Sequence, residues 1–74
     1  MAKTYSGKSV VKILSRKFGF SLVFQKGSHV KLRKEVAGRT VTTIVSLHRE
    51  LSPGTLRGIL ELAEVNEKEF RKIR

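Results

Sequence analysis

The sequence predicts a small α+β domain in the order α-β-β-β-α, a three-stranded antiparallel sheet with its helices on one face. Three observations carry that reading. Apolar residues recur at helical spacing from Val10 to Phe18, alternate with a period of two from Phe20 to Arg33, and return to helical spacing behind a Ser52-Pro53 start signal. Helices stacked on one side of such a sheet leave its other side open.

The elements follow in order. After a short polar lead, Ser6 can cap a first helix in which Val10, Ile13 and Leu14 fall at i, i+3 and i+4, with Phe18 one turn further on. Lys8, Lys12, Arg16 and Lys17 then project from its flanks and outer face, and Gly19 supplies the left-handed residue that ends it. In the first strand Phe20, Leu22 and Phe24 are expected to face the core, with Ser21, Val23 and Gln25 opposite. Lys26-Gly27-Ser28 reads as a tight turn, and the return strand places Val30 and Leu32 inward and His29, Lys31 and Arg33 on the solvent side. Glu35 to Arg39, with Gly38, forms a second turn before the β-branched third strand, Thr40 to Val45.

Ser52 as N-cap and Pro53, its ring already at a helical φ, open a second helix with the stripe Leu56, Ile59, Leu60 and Ala63. Asn66 followed by Glu69 starts a last short helix whose Phe70 and Ile73 are expected at the edge of the core. Phe18, Phe20, Phe24 and Phe70 thus all fall on core faces and Tyr5 alone is left free. No exposed stacking platform is expected from that distribution.

Length and composition set limits. The 74 residues are read as one domain, 1–74, and a fold of this size buries only about 60% of the surface its unfolded chain exposes. The absence of cysteine excludes a disulfide staple and a thiolate metal site. The longest aliphatic or aromatic run is Leu22-Val23-Phe24, far short of a secretory segment or of the roughly 20 residues that span a bilayer. The chain is therefore expected to be soluble and cytoplasmic, with no membrane partner.

Charge is the strongest functional signal. The net charge is +10, and residues 1–34 carry nine lysines and arginines and no acid, whereas residues 35–74 carry seven bases and six acids. A cationic half of this kind attracts polyanions, nucleic acid foremost, in a manner weakened by salt. Within it, Gly27-Ser28-His29 has Lys26 before it and Lys31, Arg33 and Lys34 after it. Imidazole is the side chain suited to moving a proton near neutral pH. The spot is a candidate nuclease centre.

An open sheet face carrying a histidine and cations resembles the double-stranded RNA-binding fold. More specifically, Ser6-Gly7-Lys8, Phe18-Gly19-Phe20, the block from Gln25 to His29, and the block from Leu47 to Arg57 with Ile59-Leu60 resemble the HicA toxins of bacterial and archaeal toxin-antitoxin pairs. The Lys-Gly-Ser-His and Pro-Gly-Thr-Leu blocks carry most of that resemblance, which runs from about residue 6 to residue 70. It implies a small ribonuclease of double-stranded RNA-binding-like fold that cuts messenger RNA and is silenced by a HicB antitoxin. The family's active histidine maps onto His29.

RNA can be cut without a metal when the 2′-hydroxyl attacks the adjacent phosphorus, given a group to take its proton and a group to protonate the departing 5′-oxygen. His29 can fill either role, the other falling to a lysine, water or the substrate. Lys26, Lys31 and Arg33 are expected to hold the RNA backbone, with Lys12 and Arg16 on the first helix next in line. Gly27 either lets the backbone approach phosphate or is a plain hairpin glycine; Ser28 either donates to phosphate or stabilises the turn. His48, just before the second helix, reads as a structural histidine more readily than as an RNA contact. Two histidines and six acids without clustered spacing, beside a basic half, argue against a metal, and no cofactor fingerprint is present. Two other classes remain in view: a non-catalytic module that recognises A-form RNA by shape, and a basic face that only docks an acidic protein.

Overall fold

A computed structural model describes residues 3–73 and contains, in order, α1 (Gly7–Lys17), β1 (Ser21–Lys26), β2 (His29–Val36), β3 (Arg39–Ser46), α2 (Pro53–Ala63) and α3 (Glu67–Arg71). Each helix begins where a side chain satisfies an otherwise orphaned backbone donor. Ser6 Oγ accepts from the Ser9 N–H at 3.1 Å, Ser52 Oγ from the Thr55 N–H at 3.2 Å, and Asn66 Oδ1 from the Glu69 N–H at 3.1 Å. Caps of this kind contribute about 1 kcal/mol apiece. No helix among the described residues is long and apolar enough to cross a membrane.

The sheet is antiparallel in the order β1-β2-β3. Both hairpins close through two residues, so β2 and β3 run further than the alternation of the sequence suggested. The second turn is Ala37-Gly38, with φ +49° and +80°, the doubly left-handed arrangement of a type I′ turn. Alanine rarely takes that conformation, and its presence hid the tight turn.

From β2 and β3, Val30, Leu32, Val41 and Val45 point to one side, where they meet Val10 and Leu14 of α1 and Leu56, Ile59, Leu60 and Ala63 of α2. Thr43, also buried in this layer, donates its Oγ1 hydrogen to the Ile59 carbonyl at 2.8 Å. The bond satisfies the one buried polar side chain among the described residues and ties β3 to the middle of α2. Both helices lie on this face, as the sequence predicts.

Three aromatic assignments are corrected by the structure. Tyr5 is buried rather than free, its ring 5.0 Å from that of Phe70. Phe70 is wholly buried rather than marginal, because Tyr5 and Phe18 close over it from two sides. Phe24 is 55% exposed, for a reason that lies in the ladder. Leu22 pairs with Leu32 but Phe24 pairs with Lys31, so a bulge at Val23 interrupts the alternation. One extra residue reverses the face of every side chain beyond it. Leu22 keeps the helix-side direction and is still 55% exposed, because α1 lies across β2 and β3 and α2 across β3, leaving β1 as an overhang.

The connection from β3 to α2 is sewn to the N-terminal segment. The Gly7 N–H donates to the His48 carbonyl at 2.9 Å and the Leu51 N–H to the Tyr5 carbonyl at 2.8 Å. The approach at Gly7 leaves no room for a side chain: a Cβ there would overlap the Ser46 carbonyl oxygen and stand 2.7 Å from Leu47 Cα. At the opposite end of β3, Arg39 forms a bidentate pair on the helix side with Glu64, the left-handed residue that caps α2. Its hydrogen bonds hold the Glu64 carboxyl below the usual carboxylate range, with a further pull from Lys34.

Two outcomes are expected. Gly7→Ala should lower stability by about 3 kcal/mol, the upper range for forcing atoms into filled space; an unchanged denaturant midpoint would rule out the close approach. A carboxyl whose pKa is depressed on folding stabilises above its unfolded pKa, about 4.3 for glutamate, and loses that contribution as pH falls through the folded value. Glu64→Gln should therefore melt slightly below the parent at pH 6, with the gap closing below about pH 4. The gap is small because the pair is exposed. Melting curves across that range check the sign.

Candidate functional site

The site grows from the first hairpin turn. Gly27 sits at φ +60° while Ser28 does not, placing the left-handed residue first, as in a type II′ turn. Nothing lies within 4 Å of where a Gly27 Cβ would stand, so the glycine serves backbone geometry and openness rather than close packing. The turn is held from two directions. Gln25 Nε2 donates to the Gly27 carbonyl at 3.3 Å, and the Leu47 N–H donates to the Ser28 carbonyl at 2.6 Å. The second bond extends the β2–β3 ladder one step past its last pair and fixes the residue just before His29.

His29 is the first residue of β2, paired with Lys26 on one side and Ser46 on the other. Its side chain is exposed on the face away from the helices. Lys31 and Arg33 follow on that face at two-residue intervals. The structure thus brings together His29, Lys26, Lys31 and Arg33, and places Gly27 and Ser28 at their rim. An open groove of about 690 Å³ runs over His29, Lys26 and Lys31 and is walled by Phe24 and Ile44, the residues that flank Lys31 on the neighbouring strands.

Three of the cations that the sequence grouped with this centre lie elsewhere in space. Lys34 belongs to the helix side of β2: its Nζ donates to the Phe18 carbonyl at 2.9 Å and stands 5.0 Å from the Phe20 ring centre. It neutralises the negative end of α1 and is not part of the cationic field around His29. Lys12 and Arg16 line a separate groove of about 280 Å³ with Lys3, Lys17, Ile13 and Tyr5. That groove shares no residue with the one over His29. His48 is exposed, and its structural part is played by its carbonyl, which accepts from Gly7.

Phe24 and Ile44 were not legible as site residues to the same degree. Ile44 alternates with Val41, Thr43 and Val45, so its placement among the cations follows from the period of two. Phe24 carries no such signal, since the bulge that turns it outward involves no glycine or proline.

The electrostatics divide as sharply in space as in sequence. The four ion pairs among the described residues use Arg39, Arg57, Arg71 and Lys72, all in the second half of the chain. Among the described residues, none of the bases before residue 35 is paired with a carboxylate. Glu35 shares the open face, two residues beyond Arg33 at the end of the row away from His29, and accepts from Thr40 Oγ1 at 2.8 Å rather than from a base. The face around His29 therefore offers ammonium and guanidinium groups to an external anion and a reachable imidazole beside them. The described residues contain no cluster of three or more metal-ligating side chains.

A family model described as the HicA toxin of bacterial toxin-antitoxin matches residues 7–65. The chain belongs to the HicA toxin family. No curated protein matches the sequence. The matched span opens at Gly7, where the close approach begins, encloses the Gly27–His29 turn and the whole sheet, and ends just past α2. Helix α3, with Phe70, lies beyond it. As a HicA-family toxin, the protein is one half of a toxin-antitoxin pair.

Proposed function

We propose that this toxin is a metal-independent endoribonuclease that cuts messenger RNA in the cytoplasm, with His29 as its proton carrier. One observation supports the reading above all others: in a HicA-family chain, the exposed imidazole lies on an uncovered sheet face among cations that form no ion pair with a carboxylate of the described residues. In the reaction, the 2′-oxygen forms a bond to phosphorus as the bond from phosphorus to the 5′-oxygen breaks. One proton leaves the 2′-hydroxyl and one reaches the departing oxygen, giving a cyclic phosphate and a free 5′-hydroxyl. His29 carries one of these protons, and a lysine, water or the substrate carries the other. Lys26, directly across the ladder, and Lys31, two residues along, are placed to neutralise the phosphate as negative charge grows on it. Arg33 continues the row, Ser28 and Gly27 border it, and Lys12 and Arg16 hold a more distant stretch of backbone.

The partner that silences this activity is a HicB-like antitoxin, whose acidic surface covers the cationic face. The same charge that draws RNA then draws its competitor.

His29→Ala should reduce cleavage of RNA by about 10² to 10⁴, the usual worth of one general acid or base. Growth arrest should disappear while folding and most RNA affinity remain, because the lysines and arginines carry the binding charge. Chelator should leave the parent's rate unchanged. An alanine variant that cuts as fast as the parent sinks the assignment, and parent protein that leaves RNA intact at saturation favours a binding module instead.

A further inference from the structure

We propose that Phe24, seconded by Ile44, is a base platform that positions an unpaired nucleotide next to His29 and gives the toxin its preference for single-stranded RNA. The inference rests on the ribonuclease reading and extends it to a substrate-positioning residue outside the sequence blocks that carry the family resemblance. It starts from an expenditure of apolar surface that folding does not explain. Phe24 is 55% exposed and Ile44 49% exposed, both on the face that no helix covers. The bulge at Val23 puts Phe24 there; an unbroken ladder would have aimed it at the helix side with Leu22.

The occupant can be argued from what lies between the two. Lys31 pairs with Phe24 on one side and with Ile44 on the other, so an ammonium stands between two apolar side chains. His29 lies two residues along the same strand, about 7 Å away, and Lys26 faces it across the ladder. A nucleotide presents the matching sequence of chemistries: a flat apolar base face for Phe24 and a phosphate for Lys31, with the neighbouring phosphate within reach of His29 and Lys26. An acidic protein surface could also meet the Lys31 ammonium, but a nucleotide carries the anion and a flat apolar face in one unit at the spacing that Phe24 and Lys31 present. Stacking on an aromatic side chain tolerates any base and requires an unpaired one, whereas an A-form duplex keeps its base faces covered and its major groove closed to side chains.

The test uses an unstructured oligoribonucleotide containing 2-aminopurine, its annealed duplex, and the full chain carrying His29→Ala so that nothing is cut. The parent background should quench the fluorophore in the single strand. Phe24→Ala and Phe24→Leu should both lose the quench and weaken single-strand binding about tenfold, while Phe24→Trp restores both. Duplex binding should be weaker and unmoved by any of them. Leu62→Ala, which removes a similarly exposed apolar side chain from α2, should change nothing. With His29 present, the same variants should raise KM more than they lower kcat. Phe24→Leu binding as well as the parent overturns the proposal, as does an equal loss on single strand and duplex. It is overturned too if Phe24→Ala spares RNA and abolishes binding of an acidic antitoxin. Quenching by a parent chain that cuts no RNA would refute the nuclease reading and leave the platform standing; cleavage indifferent to Phe24 would do the reverse.

Discussion

The stretch from Ser46 to Leu51 is the part of the molecule on which the rest is hung. It leaves β3, presents the Leu47 N–H to the turn before His29, and presents the His48 carbonyl to the first residue of α1. It then takes the Tyr5 carbonyl through Leu51 before α2 begins. A single irregular connection thereby fixes the turn that carries the imidazole and the helix that closes the core. The arrangement requires glycine at position 7, because the backbone of Ser46 and Leu47 occupies the space a side chain would fill. A chain without disulfides gains from cross-ties between segments distant in sequence, since each one orders both partners at once.

The two sides of the sheet follow different electrostatic rules. On the helix side, the charges next to the sheet and the chain ends are consumed locally, Lys34 on the Phe18 carbonyl, Arg39 on Glu64, Arg71 on Glu67 and on the Lys3 carbonyl, while the bases of α1 stay on its outer surface. On the open side, Lys26, Lys31 and Arg33 stand beside His29 with no ion pair among the described residues, and the face's one acid, Glu35 at the far end of the row, is bonded to Thr40. Mutual repulsion of these groups is moderated by solvent and salt while the face is uncovered, and it is relieved when an anion arrives. A polyanion or an acidic protein surface supplies that relief, so the proposed substrate and the proposed antitoxin would compete for one face.

Much of this was legible in the sequence, and the parts that were not have local causes. The caps at Ser6, Ser52 and Asn66 are written in residue type and spacing, and all three form. Val30 and Leu32 against His29, Lys31 and Arg33 follow from strict alternation in a strand paired on both sides. Alternation failed in β1 because a bulge without a glycine marker shifts the pattern after Leu22. Proximity in sequence misplaced Lys34, whose neighbours Arg33 and Glu35 point the other way. Tyr5 read as free because it precedes every regular element, yet Phe70 from the other end of the chain buries it. Such contacts between termini leave no periodic trace.

The uncovered face contributes none of the side chains that make up the hydrophobic interior, which is drawn from the helix side and the terminal segments. Its residues are consequently free to change with little penalty to the native state. Toxins and their antidotes are matched pairs, and a matched pair can drift in step only if recognition can be rewritten without unravelling the scaffold beneath it. Here the surface open to such revision and the structure that must endure are separated by the thickness of one β-sheet.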